Sequence, residues 1–164
     1  LAPAAVGLVM AVGPLVAALV GVPAGRAVDR LGSARPLKAG LVLMLLGCTG
    51  FALLPTRLGV VTYLLPLAAT TAGFAVFQAA DNTAVVTTVA AGQRGLVSAL
   101  LTLARNLGLV TGASAMGAVF VAAAGSADMA RAGAAAVAQG MQAVFAVGGL
   151  LVLAALAAAR GMPA

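Results

Sequence analysis

Residues 3–24 read PAAVGLVMAVGPLVAALVGVPA, and residues 25–38 continue GRAVDRLGSARPLK. The first stretch carries no charge and is the length of one crossing of the hydrocarbon core, which takes about 20 apolar residues. The second gathers Arg26, Asp29, Arg30, Arg35 and Lys38. An uncharged apolar run that stops at a basic cluster predicts a membrane-spanning helix followed by a boundary loop. That pattern recurs down the chain and decides the fold class.

Working outward, the apolar runs lie at about 3–24, 38–56, 59–81, 96–123 and 140–159. The remaining charges fall mostly where runs stop, with Arg57 in the second gap, Arg94 in the third, Asp128 and Arg131 in the fourth, and Arg160 at the end. The expectation is an all-α fold, a polytopic membrane bundle of five helices. Composition agrees, since the 164 residues are 63% hydrophobic and 7% charged, against roughly 25% charged in a soluble domain. The mean hydropathy is +1.18. Segment 125–139, GSADMARAGAAAVAQ, reads as an external loop or short helix.

The same composition narrows the chemistry. Histidine and glutamate are absent, and the acids are Asp29, Asp81 and Asp128. No catalytic histidine, paired carboxylate or nitrogen-ligated zinc is expected, so neither metal nor cofactor is expected and an enzyme is the weakest class. The single cysteine, Cys48, reads as a packing residue. A net charge of +6 does not point to nucleic acid, because the nine basic residues are scattered and not interleaved with aromatics.

Loop charges set orientation. Arg26, Arg30, Arg35, Lys38, Arg94 and Arg160 lie on one side and Arg57 and Arg131 on the other, six against two. The first side is therefore expected in the cytoplasm, with a cytoplasmic C-terminus and a multi-pass location in the cell membrane. Gly21 with Gly25, and Gly108 with Gly112, stand at the four-residue spacing that lets membrane helices approach closely. Pro14, Pro23 and Pro66 fall in or near spans, where neighbouring helices can satisfy freed carbonyls.

Three groups of residues could carry function. In the first loop, Gly25 and Gly32 permit reversals around Asp29 and Arg30, with Arg35 beyond. A carboxylate there can be paired in one conformation and released in another. At the end of the third run, Phe77, Gln78 and Asp81 share a helical face beside Asn82. They form either a polar patch at the inner end of a cavity or a group already at the interface. In the fourth run, Arg105 shares its face with Gly108, Gly112 and Met116, next to Asn106. It must be paired, hydrated or able to snorkel, because an unpaired charge at a helix centre costs about 2.5–3.5 kcal/mol.

The stretch 25–38 is similar to the loop motif of the major facilitator superfamily, roughly GxLaDRxGRK. Gly25, Asp29, Arg30 and Gly32 match. Ala27 stands for the leucine, Ser33-Ala34 for the basic pair, and Arg35 and Lys38 are displaced. QRGLVSALLTLARNLG (93–108) and GASAMGAVF (112–120) resemble the late helices of the fourteen-helix drug:proton antiporter group in that superfamily. The resemblance implies that the five spans are the last five helices of a longer transporter, from the C-terminal half of its fold. It also implies that the 25–35 loop biases conformational switching. Expected partners are a small hydrophobic or cationic substrate, protons, the lipid bilayer and the transporter's remaining helices. The start at Leu1, without an initiator methionine, fits a fragment. Two alternatives stay open: a sugar or metabolite transporter of the same superfamily, and a non-functional remnant.

Overall fold

The computed structural model describes residues 3–53, 60–125 and 133–161. It contains five long helices: α1 (Pro3–Leu31), α2 (Ala34–Leu53), α3 (Val60–Thr87), α4 (Arg94–Ala124) and α5 (Ala134–Ala159). One 3₁₀ turn, Ala91–Gln93, leads into α4. The shortest helix has 20 residues and the longest 31, or about 30 to 46 Å at 1.5 Å per residue. Each is long and apolar enough to cross a membrane. No strand occurs among the described residues.

The helices outrun the apolar windows at several ends. α1 continues to Leu31, so Gly25, Asp29 and Arg30 are helical where a loop was expected. The true connection is Gly32–Ser33, and Gly32 adopts φ +74°, a left-handed conformation that glycine reaches without strain. Ala34 then opens α2, which puts Arg35 in its first turn. α3 runs six residues past the expected end at 81, and α5 starts six residues before 140. Apolarity marks the hydrocarbon crossing, whereas the backbone goes on satisfying its own hydrogen bonds until a residue such as Gly32 or Gly125 (φ +67°) turns it. Arg57, Asp128 and Arg131 lie outside the described residues, as do residues 126–132 of the 125–139 connection.

Several hydroxyls inside the spans are satisfied by their own helix. Thr70 donates to the Pro66 carbonyl at 2.8 Å, Thr83 to Ala79 at 3.0 Å, and Thr111 to Leu107 at 2.7 Å. Back-bonding of this kind lets a threonine sit in lipid without a partner from another helix.

α2 packs most extensively on α3. α1 packs on α3, and α5 on α2, while α4 leans on α5 and meets α3 only narrowly. The α2–α3 seam is backbone against backbone. A Cβ on Gly40 would lie 2.6 Å from the Phe77 nitrogen, and one on Gly73 would lie 2.6 Å from the Met44 nitrogen. A Cβ on Gly47 would collide with the Thr70 hydroxyl and come within 2.8 Å of the Pro66 carbonyl.

The two ends of the bundle are pinned differently. Where α1 and α3 end and α2 begins, Val28, Leu37, Leu41, Ala80 and Ala159 form a buried cluster flanked by Phe77 and Leu156. At the opposite end Phe51 of α2 stacks on Phe145 of α5 at 4.1 Å and meets Tyr63 of α3 edge-on at 5.2 Å. Beyond these clusters, leucines and valines on α1 and α4 stand exposed. So large an apolar surface is compatible with lipid around it and not with water.

Candidate functional site

α3 presents Phe74, Phe77, Gln78 and Asp81 on one stripe, spaced three, four and seven residues from its first member. α4 faces it with Ala104, Arg105, Gly108 and Leu109. Together they line a cleft of about 420 Å³. Arg105 Nη2 donates to Asp81 Oδ2 at 2.9 Å across this cleft, forming a salt bridge.

Helix geometry explains how the two meet. Asp81 lies six residues before the end of α3, about 9 Å, and Arg105 eleven residues into α4, about 16 Å. Side chains tilt toward the N-terminus of their own helix. In this antiparallel pair Arg105 therefore reaches back toward the start of α4 while Asp81 leans inward along α3. A long side chain closes the offset, which a lysine would span without the planar fork. The Arg105 and Asp81 side chains are 32% and 24% exposed, so the pair borders the cleft and is not sealed in the core.

Of the residues singled out from sequence, Gln78, Asp81 and Arg105 come together here. Asn82 and Asn106 do not: both are exposed and neither lines the cleft. Asp81 is not at the end of its helix, since α3 continues through Thr87. Gly108 lines the cleft, and a Cβ there would meet nothing within 4 Å. The same holds for Gly112, Gly21 and Gly25. Gly108 and Gly112, expected to pack helices, thus meet no neighbouring helix among the described residues. Gly108 leaves room in a cleft, and close packing is done by Gly40, Gly47 and Gly73.

Gly25, Asp29, Arg30, Gly32 and Arg35 gather at the α1–α2 turn, apart from the cleft. Gly25 is half-buried, while Asp29, Arg30, Gly32 and Arg35 are exposed. One packing link joins the two regions. Val28, the neighbour of Asp29, and Ala80, the neighbour of Asp81, sit in the same buried cluster.

Sequence reasoning missed the glycine seam and Ala80, which is fully buried. Gly40 and Gly47 are seven residues apart, two turns on one face, and a search for four-residue spacing passes over them. Ala80 leaves no signal among so many alanines.

Among the described residues no cluster of acids and cysteines could hold a metal ion. Compared with known protein families, curated proteins and solved structures, the chain matches none.

Proposed function

We propose that the chain forms part of the C-terminal helical bundle of a secondary transporter of the major facilitator type, and that the α3–α4 cleft belongs to its transport pathway. The observation that carries the reading is the Arg105–Asp81 pair at 2.9 Å, an ion pair within two apolar spans and beside a cleft. Ionisable groups inside membranes are expensive and mark substrate, ion or proton pathways. The resemblance of residues 93–108 and 112–120 to the drug:proton antiporter group adds to it.

The lining favours hydrophobic or cationic compounds over sugars. Phe74, Phe77 and Leu109 supply apolar contact and Gln78 one amide, whereas a sugar needs many convergent hydrogen-bond partners. Proton coupling follows as part of the proposal. Ionised Asp81 holds Arg105, and protonating Asp81 removes that attraction and frees α3 and α4 to separate. In this reading Asp29 and Arg30 act at the α1–α2 turn on switching, without touching substrate, and the C-terminus is cytoplasmic.

The test is transport by the full-length protein in proteoliposomes under an imposed pH gradient, with a fluorescent hydrophobic cation as substrate. Arg105→Leu and Asp81→Asn are each expected to cut gradient-driven transport at least tenfold while the protein still inserts. Wild-type rates in both variants would refute the reading.

A further inference from the structure

The outward face of α1 is apolar along most of its length and ends in two arginines. Leu8, Leu15, Leu19 and Val22 are all exposed. They follow helical spacing on one face, and the same spacing continues to Arg26 and Arg30, which are also exposed. Arg26 and Arg30, with Pro23, Ala27 and Leu31, line an open cavity of about 440 Å³. One turn, about 6 Å, separates the two arginines along the axis.

Their depth is set by the sequence. Arg26 follows the uncharged run 3–24 after a single glycine, so it stands at the boundary between hydrocarbon and headgroups. Arg30 lies one turn further out. The nearest acid, Asp29, is not among the lining residues. The cavity therefore presents two guanidinium groups and no carboxylate, and Arg35, exposed in the first turn of α2, adds positive charge at the same end.

We propose that this cavity binds the phosphodiester headgroup of an anionic phospholipid, with its acyl chains lying along Val22, Leu19 and Leu15. Two planar guanidinium forks can each donate paired hydrogen bonds to phosphate oxygens. The apolar stripe continues from the arginines in the direction that acyl chains take. A soluble phosphate would engage the arginines and leave the stripe unused. The proposal rests on the helices crossing a membrane and does not depend on what the α3–α4 cleft transports.

The test is photo-crosslinking of the full-length protein, reconstituted in phosphatidylcholine vesicles doped with a photoactivatable phosphatidylglycerol or, separately, a photoactivatable phosphatidylcholine. Peptide mapping should place the phosphatidylglycerol adducts in residues 15–31 and find far fewer from phosphatidylcholine. A basic residue near an anionic headgroup contributes about fivefold in binding, so Arg26→Gln with Arg30→Gln should lower the specific yield roughly 25-fold. Lysine at both positions should keep most of it. Unlabelled phosphatidylglycerol should compete, and millimolar inorganic phosphate should not. Equal labelling of wild type by both lipids would overturn the proposal without any variant having to fold. So would competition by inorganic phosphate, which would make this a soluble-anion site, or phosphatidylglycerol adducts that all map outside 15–31, which would mean that the face is covered by helices.

Discussion

Replacing Arg105 with leucine tests the central contact most directly, and its cost can be worked from the geometry. At 2.9 Å and an effective dielectric of about 20, the Coulomb attraction of the pair is about 6 kcal/mol. Holding each charge inside a span costs about 2.5–3.5 kcal/mol, so the intact pair is close to neutral in free energy. Arg105→Leu removes the attraction and one penalty, and leaves Asp81 paying the other. The expected loss is about 3 kcal/mol, and Asp81→Asn should lose a similar amount. Removing both charges should restore most of the stability. The side chains are 32% and 24% exposed, so water in the cleft would screen the pair and reduce each single loss toward about 1–2 kcal/mol. A double-mutant cycle on unfolding of the bilayer-reconstituted protein measures the coupling, expected at about 2–4 kcal/mol. Arg105→Lys should recover part of it. Losses that add to within about 0.5 kcal/mol would show that the two residues do not act as a pair, and the cleft would lose its claim as a site.

Other substitutions probe the remaining contacts. Gly40→Ala and Gly73→Ala should each destabilise the protein by about 1–3 kcal/mol, because a Cβ at either position meets backbone. Gly21→Ala, with open space around it, should be neutral or stabilising in the same unfolding assay; equal losses at all three would remove the α2–α3 seam as the cause. In a Cys48→Ala background, single cysteines at Ser33 and Gly133 should react with impermeant reagents from opposite sides of the membrane, Ser33 from the cytoplasmic side. Asp29→Asn should slow turnover and leave substrate affinity within a few-fold, and a large affinity loss at normal turnover would sink the switching role. Gly108→Phe should narrow the cleft and exclude bulky substrates while Gly108→Ala is tolerated, which competition by a size series would reveal.

What the sequence made legible was the part governed by solvent. Five apolar runs of membrane length correspond to five helices because lipid forces each segment to satisfy its own backbone. The sharing of one face by Phe77, Gln78 and Asp81 was also readable, since helical spacing alone places them together. The partner of Arg105 was not readable in the same way. It depends on where two helices cross, and a chain with three acids leaves only a choice among candidates. The α1–α2 turn was misjudged in extent for a different reason. Charge marks where the membrane stops and says little about where hydrogen bonding stops, and α1 carries its arginines and Asp29 for a full turn and more beyond the apolar run. Close packing was the least visible, because 21 glycines offer many pairs at suggestive spacings and only the crossing decides which of them meet backbone.

The packing also divides the bundle mechanically. α2 and α3 are in backbone contact at three glycines, so sliding one against the other would drive Gly40 and Gly73 past facing backbone atoms. α1 and α5 are tied to that pair through Val28 and Ala159 at one end, and α5 again through the Phe51–Phe145 stack at the other. α4 is held differently. On α5 it rests at the ring of Phe120, seated against Gly140, and toward α3 it meets a cleft bridged by Arg105 and Asp81. Packed interfaces shift between discrete arrangements and resist continuous deformation, whereas one ion pair beside a cleft can be opened by neutralising a single carboxylate. Of the helix contacts described, α3–α4 is thus the one whose separation disturbs the least packing, and it is the one at which the half-buried Asp81 sits.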